Sequence, residues 1–332
     1  MSFTQFAVWP ASQAVEEYHY CHLAGGKLWL FSRKFVDQPK FSYGHRVAFT
    51  GGYVMYLDLS SKKWSGKMEF PAISTEENME ESIFVLGSDI YILLHTGFGG
   101  VTFKQLLRWN EEKSAWTPVA HFTVDPGCNT SSSSAETRCD CFVAVQSDSV
   151  KDSICIVTSV DGKLALHNLS ISGTTARLSP IRPPDAVAES HMKSPVKAAR
   201  WDDKVYVIYG EHGCGFHIEP MKWTCIKEDT KETFVCDLQG EKPPFSFQGA
   251  RGTGVLASGL WVHIIGSTSK GMGESTYNGE IWTADLKQCP LTWKKCSLVA
   301  PKLNSEENIV AVSGAGEIYV GDKANGILHA KI

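Results

Sequence analysis

No apolar run in this 332-residue chain approaches the ~18 residues needed to span a bilayer. The N-terminus, Met1-Ser2-Phe3-Thr4-Gln5-Phe6, has no basic region followed by an apolar stretch, so no secretory signal is visible. Charge of one sign is lacking too. Lys and Arg number 32 against 36 Asp and Glu, a net charge of −4 with both signs mixed throughout. Nucleic-acid binding needs a concentrated Lys/Arg surface, which this balance does not supply. Helical periodicity is weak everywhere. Nucleophile elbow, phosphate-cradling glycine loop and dinucleotide fingerprint are all missing. Gly271-Met272-Gly273 has neither the preceding strand nor the following helix such a loop requires. The expectation is a cytoplasmic or nuclear protein with no membrane and no nucleic-acid partner.

The ten cysteines stand at 21, 128, 139, 141, 155, 214, 225, 236, 289 and 296. Without a signal, a reducing compartment is the default, and Cys21, Cys141 and Cys155 read as small apolar strand residues. Asn129-Thr130-Ser131 and Asn168-Leu169-Ser170 then read as chance glycosylation matches. The eleven histidines have no compelling ligand spacing. Cys139-Asp140-Cys141 suits chelation by a single strand poorly, and His212-Gly213-Cys214-Gly215-Phe216-His217 is the densest cluster. No metal and no cofactor is expected.

What the chain has is repetition. A small or polar turn, then aliphatic, aromatic (or Cys), aliphatic recurs six times, centred on Trp29, Tyr91, Cys155, Tyr206, Trp261 and Tyr319. The centres are 62, 64, 51, 55 and 58 residues apart. An apolar segment precedes each copy across a short Gly/Ser/Asp gap, the mark of a hairpin. A third apolar segment follows, Gly215 to Ile218 in unit four, and a fourth carries Trp64, Trp116, Trp223 or Trp293, with Leu178 at that place in unit three. Each unit therefore reads as four short antiparallel strands, and radial packing hides both faces of such a sheet. The sixth unit stops after its third strand, while Thr4 to Pro10 alternates and carries Trp9. Pairing the two ends closes the ring. The predicted fold is all-β, a single six-bladed β-propeller of four-stranded antiparallel blades closed by the N-terminal strand. The blades span approximately 18–68, 80–120, 139–180, 195–227, 251–298, and 307–332 with 3–10.

Two patterns resemble those of kelch-repeat β-propellers: the phrase above, and an Asp or Asn with Trp six residues on, as in Asp58 to Trp64 and Asn110 to Trp116. The family's glycine pair is largely missing, Gly99-Gly100 coming late. The resemblance implies a non-catalytic scaffold or adaptor that holds a partner protein or peptide on its long-loop face, alone or as a subunit of a larger complex. The chain is consumed by blades, leaving no room for a further adaptor or enzymatic domain. Loops carry function in such folds, and exposed aromatic and Arg side chains serve as anchors. The candidates are Tyr43, His45, Arg46, Phe98, Arg138, His212, Arg251 and Tyr277. The rival expectation is an enzyme or small-molecule binder with its site at the mouth of the central channel, using Arg251, Arg200 and His22.

Overall fold

Every copy of the repeated phrase is the second strand of a sheet. In the computed structural model the described residues are 2–10, 20–37, 47–70, 79–135, 139–144, 153–161, 163–181, 194–201, 204–210, 222–227, 233–236, 238–239, 250–255, 258–265, 267–269, 275–277, 279–288, 291–301, 309–313, 315–322 and 325–332. Among them there is no helix, and the chain is an all-β propeller.

The first sheet joins Tyr20–Ala24, Lys27–Asp37, Val47–Asp58 and Lys63–Trp64, with Met68–Phe70 beside the third of these. The second joins Met79–Leu86, Asp89–Thr96, Phe103–Asn110 and Ala115–Pro118. Asp140–Ala144, Ser153–Val160, Lys163–Ser172 and Thr175–Ile181 make the third. Ser194–Trp201, Lys204–Gly210, Lys222–Lys227 and Thr233–Cys236 make the fourth. Ala250–Val255, Leu260–Ile265, Glu280–Asp285 and Leu291–Val299 make the fifth. A closing sheet holds Ile309–Val312, Glu317–Asp322, Gly326–Lys331 and Thr4–Ala7. The inner strands of successive sheets touch one another, and the last touches the first, so they ring a common axis.

The second strands are mostly apolar because both their faces are covered. Leu28 and Leu30 pack with Tyr319 and Ile327 of the closing sheet. Trp29 and Phe31, one residue out of phase, pack with Ile90, Ile92, Trp109 and Trp116 of the second sheet. Residues of a strand point alternately to its two faces, so one strand feeds two interfaces. The same holds in the closing sheet, where Ile318 and Val320 pack with Val262, Ile281 and Leu298 of the fifth.

The Asp/Asn-to-Trp spacing has a local cause. Asp58 Oδ1 accepts from the amides of Ser60 and Ser61 at 3.1 and 2.8 Å, and Asn110 Oδ1 from the Lys113 amide at 2.9 Å. The side chain thereby closes the turn into the outer strand. The Ser61 amide and the hydroxyls of Ser60 and Ser61 hold the Asp58 carboxyl down at about 2. Four residues after each cap, Lys62 and Ser114 take positive φ of 56° and 45°, and the chain turns back to bring in Trp64 and Trp116.

Three features depart from expectation. Trp223 lies on the third strand of the fourth sheet, whose outer strand is Thr233–Cys236, so that unit runs past residue 227. The expected third strand at 215–218 lies outside the described residues. Two further strands pair in parallel with outer strands, His121–Val124 with Thr175–Ile181 and Leu238–Gln239 with Leu291–Val299. Both segments are short and partly polar. They cap outer edges that would otherwise present open hydrogen-bonding groups.

The two ends of the chain meet in the closing sheet. Thr4 pairs with His329, Gln5 with Leu328 and Ala7 with Ile327. Beyond the strand, Trp9 stacks on Trp64 of the first sheet at 5.3 Å, and Trp64 Nε1 donates to the Val8 carbonyl at 2.7 Å. Gly326 turns into the last strand at φ +81°, and a Cβ there would lie 2.2 Å from the Ala7 carbonyl oxygen. Gly326→Ala should therefore loosen the closure from both causes, lowering stability by about 1–3 kcal/mol. Chemical denaturation measures this. A stability equal to that of the unsubstituted protein would contradict the described contact.

Candidate functional site at the channel end of the second and third sheets

Inner strands enter from one end of the ring, and second strands run out toward that same end. Thus Met79, at the start of its strand, faces Thr96, at the end of the next. Three polar residues, Glu80, Glu81 and Ser82, interrupt the apolar pattern here. Glu80 lies opposite His95, and Ser82 is two residues along on the same face. Ser82 Oγ is 3.0 Å from His95 Nε2 and 3.6 Å from the Sγ of Cys141, on the inner strand of the third sheet. His95 Nδ1 is 3.1 Å from the Thr96 carbonyl. A carbonyl only accepts, so Nδ1 carries a proton and donates.

The third sheet contributes a matching polar row. Cys141 lies opposite Thr158, and Thr158 Oγ1 is 3.0 Å from His167 Nε2. Both histidines are buried, each 1% exposed, and both stand edge-on to Phe103, at 6.2 Å for His95 and 5.4 Å for His167. The Nδ1 of His167 is buried without a hydrogen-bond partner. Below this seam the interface is wholly apolar, with Phe84, Leu93, Ile154, Ile156 and Leu169.

A small ribbon covers the seam. Gly100–Val101 pairs with Thr130–Ser131, the Ser132 amide donates to the Gly99 carbonyl, and the Cys139 amide donates to the Gly97 carbonyl at 2.8 Å. At position 100 glycine is required on steric grounds. A Cβ on Gly100 would lie 2.2 Å from the Thr130 oxygen, and one on Gly97 would occupy the space of the Glu80 carboxyl. The late glycine pair of the second unit thus lets the two strands of this cover approach closely.

The electrostatics divide the histidines. Burial alone would push the His95 imidazole down, but the Cys141 sulfur, the Thr96 carbonyl and the Glu80 carboxylate outweigh it and hold it up at about 9. His167 has no such partner, and burial lowers it to about 4. His22, in the middle of the first sheet's inner strand and half-buried against Phe31, is also pushed down by burial to about 4. Among the described residues, no group of three or more His, Cys, Asp and Glu is placed to hold a metal ion.

Most of the residues singled out from sequence lie elsewhere. Tyr43, His45, Arg46, Arg138 and His212 are outside the described residues. Phe98 is on the cover beside Gly97 and is 39% exposed. Tyr277 lies in a two-stranded ribbon, Ser267–Ser269 with Ser275–Tyr277, where a loop was expected. Arg251 is the second residue of its inner strand, at a register irregularity between Ala250 and Gly252, on the entry end of the ring. Arg200 is next to last in its inner strand, so the two arginines sit at opposite ends of the channel. Sequence reasoning missed Glu80, Ser82, His95 and His167 and took Cys141 for a packing residue. Their signal is a charged or imidazole side chain inside a strand: Glu80 in Met79–Leu86, His95 in Asp89–Thr96 and His167 in Lys163–Ser172.

No protein-family model matches the chain, and no curated protein matches it. Solved structures do. An α-L-arabinanase from Penicillium chrysogenum, complexed with arabinobiose, matches with a TM-score of 0.55 at 9% identity, over 100% of this chain and 98% of that one. A mutant α-L-arabinofuranosidase from Fusarium graminearum, in complex with an iminosugar inhibitor, matches with a TM-score of 0.57 at 11% identity, over 100% and 98%. A sialidase from Streptococcus pneumoniae matches with a TM-score of 0.50 at 8% identity, over 96% and 67%. At these identities the likeness establishes the propeller fold. It also corrects two expectations. The reading of a non-catalytic scaffold or adaptor, and with it the reading that the chain is not an enzyme, is overturned by neighbours that are all named as enzymes. None of the three is named as a kelch protein, so the kelch resemblance rests on the sequence motifs. The physical reason for the correction is that, among the described residues, Glu80, His95, Cys141 and His167 cluster at the channel end of two sheets.

Stability should peak between two limbs set by these histidines. Where the folded pKa is lowered, as at His167 and His22, the contribution is present above the unfolded value near 6.5 and lost as pH falls through about 4. At His95 the folded pKa is raised, so the contribution is present below 6.5 and lost as pH rises through about 9. Urea midpoints measured from pH 4 to 9.5 should fall on both sides. His167→Gln should flatten the acid limb, and His95→Gln the alkaline one. Unchanged limbs in both variants would contradict the assignment.

Proposed function

We propose that the chain is a glycoside hydrolase-like propeller enzyme that acts on a carbohydrate at the entry end of the channel. In this reading the six sheets of four or five strands are six blades, each built on one copy of the repeated phrase. The observation that carries it is the carboxylate of Glu80 facing the imidazole of His95 at that end. Hydrolysis of a glycosidic bond needs a group that gives a proton to the leaving oxygen and a carboxylate that supports the developing positive charge. An imidazole held up at about 9 is protonated at neutral pH and, with Nδ1 held by the Thr96 carbonyl, would pass a proton outward through Ser82, while Glu80 supplies the negative charge. Whole-length likeness to an arabinanase and an arabinofuranosidase supports a pentose-containing substrate.

The test uses the intact chain against nitrophenyl glycosides and arabino-oligosaccharides, with product release and melting temperature as readouts. Hydrolysis of an arabinoside is expected, with Glu80→Gln lowering kcat at least 100-fold while the fold is retained. Neither turnover nor a ligand-induced rise in melting temperature across the panel would overturn the proposal.

A further inference from the structure

We propose that Cys141 is a nucleophilic thiol, served by Ser82 and His95 as a proton relay, and open to small soft electrophiles that enter the channel. The inference stands on geometry independent of any glycosidase activity. Three side chains from three strands of two sheets converge. Ser82 Oγ lies between the other two, 3.6 Å from Cys141 Sγ and 3.0 Å from His95 Nε2. Such convergence across an otherwise apolar interface leaves polar atoms buried unless each serves another.

The proton count works out in two ways. With Nδ1 protonated toward the Thr96 carbonyl, a neutral imidazole has its lone pair at Nε2. The thiol hydrogen then points to Ser82 Oγ, and the serine hydrogen points to Nε2. Shifting both protons along the line gives the second state. Nε2–H now donates to Ser82 Oγ, and the serine hydroxyl donates to the Cys141 thiolate. The distances of 3.0 and 3.6 Å accommodate both states, because the serine hydroxyl can turn its hydrogen to either side. The groups facing His95 favour the second: the Glu80 carboxylate across the strand pair, the sulfur itself, and the Thr96 carbonyl. His167, across Phe103, is kept neutral at neutral pH by burial, so it adds no opposing charge.

Position separates Cys141 from the other described thiols. Cys128, Cys139 and Cys155 are buried; Cys141, Cys21 and Cys296 are half-buried. Of the half-buried three, Cys141 has an imidazole and a hydroxyl in line with its sulfur. Burial pushes the Cys296 thiol up, opposite to what reactivity needs. The thiolate is the attacking species in alkylation. With iodoacetamide the sulfur forms a bond to the methylene carbon, the carbon–iodine bond breaks, and iodide leaves with the electron pair. The thiol's proton is by then on His95.

The experiment is iodoacetamide alkylation of the folded full-length protein from pH 5 to 10, read cysteine by cysteine through peptide mass spectrometry. Cys141 is expected to react at pH 7 at least 10-fold faster than Cys21 and Cys296. Its rate at pH 7 should fall at least 10-fold in His95→Gln, and by a smaller factor in Ser82→Ala. Cys141→Ser should remove the fast-reacting site. The wild-type profile alone decides the case should His95→Gln fail to fold, and thiolate absorbance near 240 nm, lost in Cys141→Ser, checks it without a reagent. A Cys141 profile that matches the other two thiols, one unchanged in the folded His95 and Ser82 variants, or no labelling of native Cys141, would overturn the proposal.

Discussion

Everything in this structure depends on a strand having two covered faces. A sheet with apolar residues on both faces of its second strand cannot leave either face in water, so each sheet needs a neighbour on both sides. Only a ring supplies that to all of them. Burial of the second strands is therefore not independent of closure: Leu28 and Leu30 are buried because the closing sheet is there, and that sheet is complete because Thr4–Ala7 joins it. At roughly 25 cal/mol per Å² of apolar surface, the loss of one inter-sheet interface outweighs any single hydrogen bond in the latch. The latch is a small contact that holds a large one in place.

The same constraint makes polar interruptions informative. An interface that is apolar along most of its length and then gathers Glu80, Ser82, His95, Cys141, Thr158 and His167 at one end has a region where burial and polarity conflict. The conflict is resolved by mutual hydrogen bonding among Ser82, His95 and Cys141, and between Thr158 and His167. It is unresolved at His167 Nδ1. Charge follows from this: the histidine with an anionic neighbour is held protonated, and the one without is held neutral. The glycine-dependent ribbon over the seam, pinned from the next sheet, makes the end of the channel a built feature of the two sheets together.

The fold was legible in the sequence to the extent that it is periodic. The six phrases mark the six second strands because a strand buried on both faces leaves a continuous apolar run. The Asp58 and Asn110 spacings are legible because an Asx turn has a fixed geometry. Closure could be read from an incomplete last unit and an alternating N-terminus. Trp223 misled, because a single tryptophan marks burial and not strand number. The parallel edge strands at His121–Val124 and Leu238–Gln239 were hidden by their shortness. The site was illegible for a different reason. Residues 80, 82, 95, 141 and 167 share no motif and come together only when two sheets face each other, whereas the exposed-loop candidates were chosen by type and position along the chain. Function was then misjudged with them, since a loop-face adaptor follows from looking at loops.

Closure is also the most directly measurable claim. Hydrogen exchange followed by mass spectrometry on the full chain, and on a chain lacking residues 2–9, reads it in one comparison. With the ends joined, the amides of the last strand, Gly326–Lys331, should exchange as slowly as those of Asp89–Thr96. Removing residues 2–9 should raise exchange in the last strand and also in Lys27–Asp37, which packs against the closing sheet. Rapid exchange of the last strand in the intact chain, or exchange in Lys27–Asp37 indifferent to the truncation, would show that the ring is not held shut by its own ends.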